Sequence, residues 1–175
     1  MNLLPLIAAL FWSTAWSGTL LEFKSSEPAW YARNDTVMGG VSNSRVRVDG
    51  GVLLFTGQVR LENNGGFSGI RSTPSRVDLS AFSRLILRVK GDGKRYALQL
   101  GTSTGNGVTY RNEFDTVPGQ WIEVSVPLAS LRPTRFGERV TGPALNPSDV
   151  VFFGLVIGNN RAERFALQVD WIKGQ

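Results

Sequence analysis

The stretch RLILRVKGDGKRYALQL, residues 84–100, carries the pattern on which the fold turns. In its first half Leu85, Leu87 and Val89 alternate with Arg84, Arg88 and Lys90. That two-residue period belongs to a strand with one face in a core and one in water. Gly91-Asp92-Gly93 then breaks the run, and an Asp-Gly pair between alternating segments is a strong hairpin signal. The same period recurs along the chain. SRVRV places Val46 and Val48 on one face; GQVRLE places Val59 and Leu61 inward and Arg60 outward; WIEVSVP aligns Ile122, Val124 and Val126. RFALQVDWIK aligns Phe165, Leu167, Val169 and Trp171, which puts Trp171 in the core.

VDGGV, PGQ and IGNNRAE supply further short, turn-rich connections of the hairpin kind. No segment holds a helical period; LASLRP makes one helical turn that Pro133 ends. Many short strands at this spacing predict an all-β jelly-roll sandwich in a single domain, residues 18–175. Two segments depart from the pattern. VVFFGLVI, residues 150–157, is apolar on both faces, so it must be covered on both sides or meet another surface. Residues 132–149 are weakly patterned and predict a long loop, a common place for function.

Composition narrows the chemistry. The 175 residues fit one domain, and 42% hydrophobic with 19% charged residues is ordinary for a globular one. There is no Cys and no His. That removes disulfides, Ser–His–Asp and Cys–His nucleophiles, and every His- or Cys-ligated metal site. The net charge of +5 favours acidic partners. Yet Arg45, Arg47, Arg60, Arg84, Arg88 and Lys90 recur at strand spacing, the mark of a solvated outer face and not of a nucleic-acid surface.

Residues 1–17 read as an export signal: an apolar run from Leu3 to Trp12, then Ala15-Trp16-Ser17 before Gly18 in a small-x-small cleavage pattern. The run is shorter than the roughly 20 residues that span a bilayer, so the chain is not itself transmembrane. The alternative is an uncleaved apolar segment that holds the protein at a membrane.

The glycine pairs in NDTVMGGVS (residues 34–42) and LENNGGFSGIR (residues 61–71) lack the spacing and the following helix of a phosphate cradle. They read as positive-φ positions or close backbone approaches at strand ends. Glu113 and Asp115 in YRNEFDT are the one carboxylate pair at strand spacing suited to glycoside hydrolysis. They share a solvated face with Arg111, which gives neither a raised pKa, so the chain reads as a non-enzyme. Trp121 falls opposite Ile122 and Val124: a sugar platform, a protein contact, or a residue beneath another layer.

These pieces together resemble the complex I intermediate-associated protein 30 family, a galactose-binding-like β-sandwich. LLEF, AWYARNDTVMGGVSNS, LLFTGQVRLENNGGFSGIRS, LRVKGDGKRYALQL, YRNEFDT, QWIEVSVPL, FFGLVIGNN and FALQVDWIKG carry the match in order. The resemblance implies a non-enzymatic protein-binding domain, a chaperone-like assembly factor for a respiratory or other membrane complex intermediate. Photosynthetic relatives fuse it to a dinucleotide-binding domain that this chain lacks, so no cofactor carries over. The alternative within the galactose-binding-like fold is an exported carbohydrate-binding module, in which oxygen ligands could also hold calcium. The residues carried over as partner- or ligand-binding are Asn34, Asp35, Met38, Gly39, Gly40 and Ser42, then Asn64, Gly65, Gly66 and Phe67, then Gly91, Asp92 and Gly93. Trp121 is added to them on its position alone.

Overall fold

The computed structural model describes residues 17–24 and 29–175. The export signal expected over residues 1–17 therefore lies, but for its last residue, outside the described part. The strands are β1 (Gly18–Glu22), β2 (Trp30–Ala32), β3 (Asn43–Asp49), β4 (Val52–Val59), β5 (Ser68–Ser72), β6 (Arg84–Lys90) and β7 (Arg95–Thr102). They continue with β8 (Thr109–Asp115), β9 (Trp121–Pro127), β10 (Arg132–Arg135), β11 (Glu138–Arg139), β12 (Val150–Ile157) and β13 (Glu163–Gly174). Among the described residues the helical elements are short 3-10 turns, one of them Leu128–Ser130 in the LASLRP segment. None is long and apolar enough to cross a membrane.

Two antiparallel sheets face each other. One runs β3-β4-β13-β6-β9, with β1 also paired to β13; the other runs β11-β10-β8-β7-β12-β5-β2. The alternation seen in the sequence sets the inner faces. Leu85, Leu87 and Val89 of β6 meet Leu98 and Leu100 of β7 and Phe153, Leu155 and Ile157 of β12 in one core, each at most 2% exposed. An all-β sandwich is what the pattern foretold.

The connections correct the hairpin reading. VDGGV is a hairpin, with Gly50 and Gly51 both at positive φ as a tight two-residue turn requires. Gly91-Asp92-Gly93, PGQ and IGNNRAE instead carry the chain from one sheet to the other, since β6 and β7, β8 and β9, and β12 and β13 lie in different sheets. Turn residues report only that the chain reverses, not whether its flanks pair. At residues 91–94 Asp92 explains the choice. Its carboxylate accepts from the Tyr96 hydroxyl at 2.9 Å, the Lys94 ammonium at 2.8 Å and the Ala166 N–H at 3.0 Å. The loop is thereby pinned to β13 across the sandwich. Tyr96 is 1% exposed, and burial pushes its hydroxyl pKa up, so it remains the donor. Tyr96→Phe keeps the packing and removes this bond to a charged acceptor; urea unfolding is expected to show a loss of about 1–3 kcal/mol. An unchanged midpoint would mean that the arch holds without it.

Three further expectations are revised. A bulge between Val169 and Trp171 shifts the phase of β13, so Ile172 enters the core at 0% exposure. Trp171 turns out of it and lies beneath the Lys173 ammonium, 4.1 Å from the ring centroid. Leu61 is exposed, because β4 ends at Val59 and the chain enters a 3-10 turn at Glu62. The loop expected over residues 132–149 begins as a hairpin, β10 and β11, joined by Phe136 and Gly137 at positive φ.

Candidate functional site

The two glycine-pair motifs fold around one buried carboxylate. Asp35, 0% exposed, accepts from the Ser42 N–H at 3.0 Å, the Ser42 hydroxyl at 2.5 Å, the Gly66 N–H at 2.8 Å and the Phe67 N–H at 3.3 Å. Ser42 Oγ in turn accepts from the Arg60 N–H at 2.9 Å. Beside this clasp, Asn34 Oδ1 accepts from the Ser44 hydroxyl at 2.7 Å and the Gly69 N–H at 3.3 Å. Burial alone would raise the Asp35 pKa, but the donors from Ser42, Gly66 and Phe67 prevail and hold it below the usual aspartate value.

Each glycine pair divides its labour. Gly39 and Gly66 take positive φ, +91° and +145°. Gly40 and Gly65 lie against the Asp35 carboxylate, where a Cβ on Gly40 would meet its Oδ1 at 2.5 Å and one on Gly65 its Oδ2 at 2.6 Å. The motif is thus a tertiary clasp between segments some thirty residues apart, wider than the local Asx-turns the sequence suggested.

The clasp holds up one wall of a cleft of about 480 Å³ on the face of the seven-stranded sheet that turns away from the core. Met38, Asn64, Gly65, Gly66 and Phe67 line that wall; residues 105–107 and 136–138 line the opposite one. The floor is Arg71 of β5, Phe152 and Val156 of β12, Gln99 of β7 and Arg111 of β8. Register explains their meeting: Tyr31, Arg71, Gly154, Gln99 and Arg111 stand opposite one another on successive strands. Gly101 lets Phe152 lie across it, since a Cβ there would fall within the Phe152 ring. The Arg71 guanidinium stacks on that ring, 3.8 Å from its centroid. The Gln99 amide donates to the Thr109 hydroxyl at 2.8 Å.

Of the residues carried over from the sequence, Met38 and the four from Asn64 to Phe67 reach the cleft, while Asn34, Asp35, Gly40 and Ser42 build the clasp behind it. Gly39 closes a 3-10 turn at the rim and its carbonyl accepts from the Asn63 amide at 3.3 Å. Gly91, Asp92 and Gly93 form the arch from β6 to β7, tied to β13 through Asp92. Trp121 stands half-buried on edge strand β9 of the other sheet, with Arg88 over its ring at 5.5 Å. Glu113 and Asp115 are exposed and engaged by arginines. Asp115 forms two bonds to Arg95, at 2.8 and 3.0 Å, which lower its pKa, and Glu113 accepts from Arg111 at 3.2 Å. Neither is placed as a general acid. Among the described residues no three His, Cys, Asp or Glu side chains gather as metal ligands.

Arg71, Gln99, Arg111 and Phe152 were not singled out from the sequence. The available signal was VVFFGLVI, whose second apolar face turns out to be the cleft floor.

The two-sheet sandwich is shared with solved carbohydrate-binding modules. The family 11 carbohydrate-binding module from Clostridium thermocellum, solved in complex with a β-1,3-1,4-mixed-linked tetrasaccharide, is similar at a TM-score of 0.63 and 16% identity, over 90% of this chain and 94% of that one. The family 30 carbohydrate-binding module of a Clostridium thermocellum cellulosomal cellulase is similar at 0.55 and 16%, over 78% and 91%. The agarase AgWH50C matches at 0.62 and 12%, over 91% of this chain but 24% of that enzyme. At these identities the likeness is one of fold. A comparison with curated proteins found no match. The profile of the complex I intermediate-associated protein 30 family matches residues 21–169, and the chain belongs to that family.

Proposed function

We propose that this chain is a non-catalytic binding domain whose cleft on the seven-stranded sheet holds a saccharide chain. The observation that carries the reading is the floor itself: an aromatic ring, a side-chain amide and guanidinium groups laid side by side on rigid strands. Saccharides are held by such planar donors on a rigid floor, here the Gln99 amide and the Arg71 guanidinium laid flat on the Phe152 ring. The modules of the same fold that bind saccharides lend support. Native gels cast with mixed-linked β-glucan, agarose or pectate test it. Retardation in at least one, lost in Phe152→Ala, is the expected result; mobility equal to the blank gel in all three overturns it.

A second reading, protein binding in the assembly of a membrane-associated complex, is favoured by family membership and by apolar side chains on the cleft walls: Val37 at 53% exposed, Met38 at 45% and Phe136 at 71%. It predicts a co-purifying partner that Met38→Asp and Phe136→Asp both release.

A further inference from the structure

Charge in the cleft is one-sided. Its lining carries Arg33, Arg71 and Arg111 against Glu138, with Glu113 paired to Arg111 from beside it. The Nε–H groups of Arg71 and Arg111 are buried and have no acceptor among the described residues. Burial lowers the Arg71 pKa, Tyr31 partly offsets it and the like charge of Arg33 adds to it. A guanidinium nevertheless stays charged at neutral pH, and a buried charged donor left without an acceptor is costly.

Each guanidinium is held by its own neighbour, Arg71 by the Phe152 ring and Arg111 by Glu113. They stand at two points of one cross-strand row, with Gly154 and Gln99 between them. At about 4.8 Å per strand the row between their backbones spans roughly 14 Å. The Nε–H groups face inward, so the terminal N–H groups are the ones that can meet a carboxylate or sulfate in the cleft, through charge-assisted bonds.

We infer that the saccharide held in this cleft is an acidic one, its carboxylate or sulfate groups seated on Arg71 and Arg111. This rests on the saccharide reading and sharpens it. Gln99, between the two anchors in the row, serves the sugar hydroxyls, and the Phe152 ring, with Arg71 laid on it, fixes the plane of that guanidinium.

The test is calorimetric titration of the full chain with four probes: a galacturonate hexamer, the same hexamer fully methyl-esterified, a sulfated galactan hexamer, and a mixed-linked β-glucan tetrasaccharide. The expected result is binding of the galacturonate or the sulfated hexamer, whichever is the source of the anion, at least about tenfold tighter than either neutral probe and weakened by salt. Arg71→Gln lowers that affinity roughly 10- to 100-fold. Arg71→Lys, which keeps the charge and loses the planar geometry, falls between. Arg111→Gln, at a separate strand, provides the same loss should Arg71→Gln perturb the fold. Equal binding of charged and esterified hexamers, unaffected by Arg71→Gln and Arg111→Gln, overturns the anion assignment and leaves the saccharide cleft standing. Binding of neutral glucan alone does the same. Absence of binding by all four overturns both.

Discussion

Asp35→Ala is expected to destabilise the domain by about 4 kcal/mol, since it strands several buried donors at once. A domain of this kind has about 5–15 kcal/mol in total, so the variant gives up a large share of its stability. The reason lies in the count of dependents. Ser42 N–H, Ser42 Oγ–H, Gly66 N–H and Phe67 N–H all converge on this one carboxylate, which is fully buried. Ser42→Ala removes one side chain from the same cluster and leaves the Gly66 and Phe67 bonds, so a smaller loss of about 1–2 kcal/mol is expected. Urea unfolding of both variants checks the order. If Asp35→Ala matched Ser42→Ala, the carboxylate would not be the centre of the clasp.

The same group gives the stability curve its acid limb. The folded pKa of Asp35 is depressed below the unfolded value of about 3.9. Its contribution is therefore complete above that value and is lost as pH falls through the folded pKa. Asp92 and Asp115, also depressed, act in the same direction. Gly40→Ala gives the clasp a second test. Its Cβ collides with the Asp35 carboxylate, and in the Asp35→Ala background only the 2.9 Å contact with the Cβ of residue 35 remains. The two substitutions together should cost clearly less than their sum.

How much of this was legible depends on which physics each feature obeys. The alternation in β6 and β9 is a local consequence of one buried face, and it was readable because nothing interrupts it. At β13 a bulge inserts half a period after Val169, and no residue of QVDWI announces it; Trp171 and Ile172 therefore exchanged faces. Gly91-Asp92-Gly93 looked like a hairpin because a turn's chemistry is set by its own dihedrals. Whether its flanks pair is set by Tyr96 and Ala166, which lie elsewhere. The glycine pairs were legible as backbone requirements, but their shared reason, one carboxylate reached from two loops, is tertiary. The cleft was the least legible feature. Gln99 and Arg111 face each other on the consecutive strands β7 and β8, but Arg71 comes from β5, and only the order β8-β7-β12-β5 brings it into their row. Residue types alone gave Arg71 the look of any outward strand cation.

Gly101→Ala is expected to disable the cleft while sparing the core. A Cβ at residue 101 falls within the Phe152 ring, so the ring must swing off β7 into the cleft. Arg71 then loses the surface on which it is stacked. The inward neighbours Leu100 and Phe153 point the other way, into a core the substitution does not touch. The outcome should be a stability loss of about 1–3 kcal/mol, typical of overpacking, with saccharide affinity at least about tenfold weaker. Combining Gly101→Ala with Phe152→Ala separates the two effects. The smaller side chain removes the collision, so the double variant should cost less stability than the two single losses added. Its affinity should stay low, because the stacking surface is absent in either case. Recovery of affinity along with stability would mean that the ring obstructs the cleft instead of forming its floor. Unchanged affinity in Gly101→Ala itself would mean that binding lies outside the Phe152–Arg71 stack.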